Sequence, residues 1–374
     1  MNGHTMKFKI FLILQLIVCS SANASNELNE FYHNVGGRPV CNYMKIINGR
    51  AAHDLGHKGH GATVAVIDTD FNQFQSDLHG VRVTNIINTI APNATVLQFE
   101  IGEVLCSGGK GALSHTIMTA ADQPKVDIIN ISLTYGYNSK PYQRGEDLWR
   151  ALEYATSRNK VISFSFGNHY KIPKNTKWMG ILAARYDIMT NTLEDLVKAP
   201  AMRGLIRLVV NASYRNGENI NQHSNRSISG CRYVITAPGT EMFYDPDADS
   251  EDVIMRTNFC NAVFTGAYAI VKGIFPKATP RELLEIIDIS ARFNKWGTNE
   301  VVRNKFGVGV IDIKAATKLA MDRKFQHDLE VEIILRAEAR ERSQTRWRII
   351  RKVSTVAFGV VDSVLALYSW LYRS

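Results

Sequence analysis

Two residues with acid–base chemistry, Asp68 and His79, lie close together in a chain of 374 residues. Asp68 ends an apolar, β-branched run over residues 62–67, which is typical of a buried parallel strand. Gly80 follows His79, and the apolar spacing of residues 81–90 predicts a helix that begins at the histidine. A carboxylate at a strand end can orient an imidazole at a helix start, and an oriented imidazole can act as a general base. Because such residues are also common in caps and turns, the interpretation depends on the rest of the chain.

Strand patterns and helical patterns alternate on both sides of this pair. Strand patterns cover residues 96–101, 126–133, 161–166, 205–212 and 233–237, and helical patterns cover residues 110–121, 146–157 and 261–275. This alternation predicts an α/β fold with a three-layer, doubly wound, mostly parallel sheet. Functional groups of such folds gather at the carboxyl ends of the strands. We therefore expect Asp68, residues 132–136 and the Gly167-Asn168 pair at one edge of the sheet.

The order of these motifs resembles that of the subtilisin-like serine peptidases, the subtilases. The segments that carry the resemblance are residues 64–68, 79–80, 91–96, 127–133, 167–168, 237–239 and 306–312. Together they cover about residues 45–320, and they imply a subtilisin-like fold and the chemistry of a serine-type endopeptidase. We expect no cofactor and no metal. No two cysteines of the mature chain have the spacing of zinc ligands. The Asp68–His79 connection is short for the family, so a surface loop and any calcium site that it carries are expected to be missing.

The resemblance implies a role for each matched residue. His79 would be the general base, Asp68 would hold its tautomer and orientation, and Asn168 would donate a hydrogen bond to the tetrahedral oxyanion. The substrate-binding residues would be Ser132, Leu133, Thr134, Tyr135, Gly136 and Gly167.

The nucleophile segment departs from the family pattern. The family reads GTSMASPHVAG where residues 256–266 read RTNFCNAVFTG, so the serine position falls on Asn258. Histidine cannot usefully activate an amide, because its nitrogen lone pair is delocalised. Thr257 has the right chemistry but precedes the predicted helix. Cys260 lies two positions after Asn258, which is about 200° around that helix, and should therefore point away from His79. It would pack in the core or form a disulfide.

The amino-terminal residues have the pattern of a secretory signal peptide. Lys7 and Lys9 precede the apolar run 10–18, and Ala22-Asn-Ala24 fits a signal-peptidase site. We therefore expect export to the periplasm, the cell envelope or the extracellular space. Four cysteines remain after residue 24 and could form two disulfides with open pairing; they are Cys41, Cys106, Cys231 and Cys260.

The net charge of +9 is concentrated near the carboxyl terminus. Residues 336–374 carry eight arginines and lysines against three acidic residues, a net charge of +5. A basic tail favours a membrane surface or another acidic partner over a nucleic acid. Residues 353–372 carry one charge, Asp362, and are long enough to span a bilayer. The adjacent basic cluster 346–352 favours instead an interfacial helix or a helix packed on the protein's own surface.

Taken together, the sequence predicts an exported subtilisin-fold pseudopeptidase whose cleft binds a peptide or protein and no nucleic acid. The predicted segments are a signal peptide over 1–24, an irregular lead-in over 25–60, the peptidase domain over 61–320 and a helical tail over 321–374. Two alternatives stay open. One is an active serine-type endopeptidase with an unrecognised nucleophile, and the other is a membrane-associated envelope or interaction protein that acts through its tail.

Overall fold

The structure, a computed structural model, describes most of the chain after residue 31. The described residues are 32–35, 38–69, 71, 79–101, 110–133, 146–167, 192–212, 224–227, 231–239, 257–293, 303–304 and 306–371. The chain divides into two compact units, Met1–Met321 and Asp322–Ser374.

The described part of the segment that precedes the sheet contains short regular elements. Strands β1 (Tyr32–Val35) and β2 (Arg38–Cys41) pair antiparallel, and helices α1 (Tyr43–Ile46) and α2 (Arg50–Asp54) follow. Elements of four or five residues are too short to show a helical or strand period, so the sequence carried no signal for them.

A parallel sheet of six strands forms the centre of the first unit. Its strands in chain order are β3 (Thr63–Asp68), β4 (Thr95–Glu100), β5 (Ile128–Ile131), β6 (Val161–Ser165), β7 (Ile206–Ala212) and β8 (Val234–Pro238). Their order across the sheet is β4-β3-β5-β6-β7-β8, and every neighbouring pair is parallel. The predicted doubly wound α/β fold is confirmed.

Helices cover both faces of the sheet. One face carries α3 (His79–Ile90), α6 (Thr257–Ile274) and α7 (Pro280–Ser290), and the other carries α4 (Lys110–Asp122) and α5 (Asp147–Ser157). Within β3, Val64 and Val66 pack in the first core cluster while Ala65 and Ile67 pack in the second. Because β3 is buried on both faces, its sequence is a continuous apolar run.

The direction of the chain across the sheet reverses after β4. The chain passes from β3 to β4 through α3 and then returns past β3 to β5 through α4. Since parallel crossovers are right-handed, this reversal puts the two helices on opposite faces. The carboxyl ends of β3 and β5 therefore border the crevice at which open α/β sheets bind ligands.

The carboxyl-terminal part of the chain is a single helix, α8 (Ile313–Leu371), which spans 59 residues. It begins before the predicted tail and continues through the second unit to Leu371. Several of its apolar side chains are exposed, among them Ile349 and Val353. Among the described residues, no helix is long and apolar enough to cross a membrane.

Candidate functional site

The structure brings Asp68 and His79 into direct contact. Asp68 is the last residue of β3 and is fully buried, and its Oδ1 lies 2.6 Å from Nδ1 of His79. The same oxygen accepts a hydrogen bond of 2.8 Å from the backbone N–H of Thr69. Because an ionised carboxylate only accepts hydrogen bonds, Nδ1 of His79 carries the proton. The Asp68 carboxylate thus fixes the tautomer of the ring and leaves Nε2 as a hydrogen-bond acceptor.

Gly80 allows helix α3 to begin directly against the residue that follows Asp68. Its N–H donates to the Thr69 carbonyl oxygen at 2.9 Å. A Cβ at position 80 would lie 2.5 Å from that oxygen, a distance that side-chain carbons do not adopt. The histidine–glycine sequence is therefore a geometric requirement, since any larger residue at position 80 would push His79 away from the carboxylate.

Asn258 contacts the imidazole of His79 on the side opposite Asp68. It is the second residue of α6, and its Nδ2 lies 3.0 Å from Nε2 of His79. An amide nitrogen can only donate, so Nδ2 of Asn258 donates to the lone pair of Nε2. The Phe259 ring stacks on the imidazole with a centroid separation of 5.7 Å. The arrangement contains an oriented base, but the group next to that base is an amide.

A buried polar network holds the start of α6 against the sheet. Asn261 is fully buried, and its Nδ2 donates to the carbonyl oxygens of Ile131 at 3.1 Å and of Ser163 at 3.2 Å. The hydroxyl of Ser132 donates to the carbonyl oxygen of Asn258 at 2.9 Å. These contacts tie the start of α6 to the carboxyl end of β5 and to the middle of β6, and they therefore set the position of Asn258.

Sequence reasoning missed most of this network. Asn130 donates to the Thr265 hydroxyl at 2.8 Å, and that hydroxyl lies 2.9 Å from the hydroxyl of Ser163. All three side chains are fully buried. The available signal was polar side chains inside apolar runs, because buried polar groups need partners and therefore tend to meet one another.

Thr257 and Cys260 are the two residues that could replace the serine nucleophile. Thr257 is the first residue of α6 rather than preceding it. Cys260 is fully buried and points away from His79, with Sγ 3.7 Å from the carbonyl oxygen of Val209. Burial raises the pKa of the Cys260 thiol well above its usual value, which disfavours the nucleophilic thiolate. Cys231 is likewise a buried thiol, so these two cysteines are not linked to each other.

The predicted substrate-binding residues fall partly within the described chain. Ser132 and Leu133 follow β5, and Gly167 follows β6 in a left-handed conformation with φ of 98°. The carbonyl oxygen of Gly167 accepts from the backbone N–H of Asn225 at 2.9 Å, which fixes the end of β6. Asn168, Thr134, Tyr135 and Gly136 lie outside the described residues. Within the described part of the chain, no group of three or more His, Cys, Asp or Glu residues could hold a metal ion.

Comparison with known proteins identifies related sequences. The sequence model of the subtilase family, Peptidase_S8, matches residues 79–309. Mycosin-1 of Mycolicibacterium smegmatis is 34% identical over 130 residues, which are 32% of this chain and 27% of that protein. The match thus spans about a quarter of the relative's length.

Comparison with solved structures identifies the same fold. The crystal structure of MycP1 with the N-terminal propeptide removed matches with a TM-score of 0.50 and 21% identity, over 74% of this chain and 96% of that chain. A chain of the periplasmic assembly from the ESX-5 inner membrane complex matches with a TM-score of 0.50 and 19% identity, over 74% of this chain and 83% of that chain.

Proposed function

The chain belongs to the subtilase family, and we propose that it is an exported pseudopeptidase, which binds a peptide or protein in its cleft without cleaving it. The proposed segments are a signal peptide over residues 1–24, the peptidase domain over 61–320 and a basic tail over 321–374. The observation that carries the proposal is the contact between the Asn258 amide and Nε2 of His79 at 3.0 Å.

The chemistry of that contact is incompatible with nucleophilic catalysis. In a serine triad, Nε2 of the histidine takes the proton of the serine hydroxyl as its oxygen attacks the substrate carbonyl. Here the atom next to Nε2 is an amide nitrogen, which has no nucleophilic lone pair to release. Loss of the nucleophile from an intact triad lowers kcat by about a millionfold. We propose that Asp68 and His79 form the remaining frame of the site and that Asn168 occupies the oxyanion position.

Binding does not need the nucleophile. An extended peptide can bind by adding a strand to an exposed sheet edge through backbone hydrogen bonds. The chain that follows β5 at Leu133 and the chain that follows β6 at Gly167 leave the sheet at its carboxyl end, as Asp68 does, beyond the last residues at which β5 and β6 pair with each other. Residues 132–136 and Gly167 are the proposed binding groove.

The relatives support an exported protein with protein partners. One structural relative is a chain of a periplasmic assembly, and several others are MycP proteases of type VII secretion systems. We propose by analogy that this chain is exported to the periplasm, the cell envelope or the extracellular space and binds a protein there.

The test is labelling of the purified mature protein with a serine-hydrolase phosphonate probe. The variants are Asn258→Ser and the double variant Asn258→Ser with His79→Ala. We expect no labelling of the natural chain, labelling of the single variant, and its loss in the double variant, because only an activated serine reacts. Labelling of the natural chain would refute the proposal in favour of an active endopeptidase, and mapping of the modified residue would then identify the nucleophile.

The tail supports a second candidate function, binding to an anionic membrane surface. In the second unit, Ile349, Val353, Val356 and Val360 recur at helical spacing and are each more than half exposed. The basic cluster 346–352 lies next to them in the sequence. Apolar side chains beside arginines are typical of interfacial helices. Cosedimentation of the full mature chain with vesicles containing phosphatidylserine should be lost on deletion of residues 336–374, and equal binding of both proteins would exclude this role.

A further inference from the structure

A single charged side chain lies in the middle of the segment that ends α8. Residues 353–372 are twenty in number, and Asp362, the tenth of them, is their one charged residue. Helix α8 continues through this segment to Leu371, so Asp362 lies on regular helix. A helix of about twenty residues matches the hydrocarbon thickness of a bilayer. Asp362 would therefore lie at the greatest depth if the segment crossed a membrane.

Asp362 lies on the side of α8 opposite a row of exposed valines. Val353, Val356, Val360 and Val364 are each more than half exposed, and Asp362 is exposed as well. At about 100° per residue, the four valines fall within roughly 80° of the helix circumference, and Asp362 lies about 200° from Val360. A helix that lies flat on a membrane can therefore bury this valine face and keep the carboxylate in water.

The charges that precede the segment indicate what covers the valine face. The basic cluster 346–352 contains three arginines, one lysine and no acidic residue, and all four cations are exposed. Basic side chains beside an apolar helix face attract the headgroups of anionic lipids, while the apolar side chains enter the boundary with the acyl chains. This charge complementarity favours an anionic lipid surface as the partner of the valine face.

A helix that crossed the bilayer would have to bury Asp362 in hydrocarbon. An aspartate at the centre of a membrane-spanning helix disfavours insertion by a factor of about one hundred. Positions 358, 359, 365 and 366, which lie one helical turn away, hold no lysine or arginine that could pair with the carboxylate. The flat arrangement avoids this cost, because Asp362 stays in water while the valines are buried.

We infer that Asp362 confines the carboxyl-terminal helix to one leaflet, so that residues 353–371 lie along an anionic membrane surface instead of crossing the bilayer. The valine face and the basic cluster supply the contacts with lipid, and the carboxylate selects the flat arrangement over the spanning one. This role rests on the second candidate function, binding to an anionic membrane surface, and it assigns the residue that sets how deeply the tail enters the membrane.

The test is alkaline carbonate extraction of the full mature chain from vesicles that contain phosphatidylserine. Each purified protein is mixed with lipid in detergent, the detergent is removed, and the vesicles are sedimented before and after carbonate treatment. Carbonate releases proteins bound at the surface and leaves membrane-spanning proteins in the pellet. The variants are Asp362→Leu, which removes the charge, and Asp362→Glu, which keeps it. The matched control is Asp322→Leu, because Asp322 is exposed on the same helix outside the segment 353–372.

We expect all four proteins to sediment with the vesicles before carbonate treatment. Carbonate should then release the natural chain, Asp362→Glu and Asp322→Leu and leave Asp362→Leu in the pellet, because loss of the carboxylate shifts the balance toward the spanning arrangement about a hundredfold.

Three results would overturn the inference while leaving the membrane-surface role intact or extending it. They are release of Asp362→Leu to the same extent as the natural chain, retention of the natural chain in the pellet, and equal retention of Asp322→Leu. Failure of the natural chain to sediment with the vesicles before carbonate treatment would instead refute the membrane-surface role itself, and with it the inference.

Discussion

Replacement of Asn261 by alanine should destabilise the protein strongly, although Asn261 does not contact the Asp68 or His79 side chain. The side chain is fully buried, and its Nδ2 donates hydrogen bonds to the carbonyl oxygens of Ile131 and Ser163 at 3.1 and 3.2 Å. Its third acceptor is the hydroxyl oxygen of Ser132, at 3.4 Å. Asn261→Ala removes the donor to all three and leaves a cavity where the amide had been.

The magnitude follows from those contacts. A buried acceptor that loses its donor costs about 1–3 kcal/mol, and the three contacts share one donor group of two hydrogens. We therefore expect the free energy of unfolding to fall by about 3 kcal/mol, a large part of the 5–15 kcal/mol typical of a domain. Urea denaturation of the mature chain measures this change.

The matched control is Asn88→Ala, which removes the same amide from an exposed position on α3. Exposed substitutions usually change stability by less than about 0.5 kcal/mol. A second readout is phosphonate labelling in the Asn258→Ser background, which Asn261→Ala should slow because the first turn of α6 is no longer tied to β5 and β6. The reasoning fails if Asn261→Ala unfolds at the same urea concentration as Asn88→Ala.

Two further predictions concern the packing around the site. Gly80→Ala should destabilise the protein by about 1–3 kcal/mol, because the new Cβ would lie 2.5 Å from the backbone carbonyl oxygen of Thr69. Gly49→Ala should destabilise it less, because the new Cβ would meet only the flexible end of the Met44 side chain. Equal denaturation midpoints of the two variants would contradict this prediction. Burial raises the pKa of the Cys260 thiol well above its usual value of 9.0, so above pH 9 the unfolded chain loses a proton that the folded chain keeps. The natural protein should therefore lose stability relative to Cys260→Ala as the pH rises. A stability difference between the two proteins that does not change with pH would contradict the burial argument.

The sequence was sufficient for elements whose signal is local. The run 62–67 gave the buried strand β3, and the start of α3 at His79 followed from the spacing of the next ten residues. The strand predicted over residues 126–133 is shorter in the structure, Ile128–Ile131. Its outer residues bind other partners, as Ser132 does with the carbonyl oxygen of Asn258, and side-chain contacts between distant segments have no local pattern.

The parts that could not be predicted depend on contacts across the fold. Asn130 and Thr265 are 135 positions apart, and neither local sequence pattern predicts that their side chains form a hydrogen bond. The tail shows a different limit. The prediction put its start at residue 321, where the resemblance ends, but α8 begins at Ile313 and continues to Leu371 although the composition changes near residue 353 from charged to apolar.

Retention of the Asp68–His79 pair follows from burial alone and does not require catalysis. Asp68 is fully buried, and loss of the hydrogen bond from Nδ1 of His79 would cost at least about 1–3 kcal/mol, because a buried carboxylate would lose a donor. The nucleophile position is under no such constraint, since Asn258 can fill it and still donate to Nε2 of His79 at 3.0 Å. A subtilase that stops cleaving is therefore expected to lose its serine first and to keep its acid and base as part of the core. If the proposed function holds, the cleft keeps its shape because the contacts among Asp68, His79 and Asn258 hold α3 and α6 on the sheet.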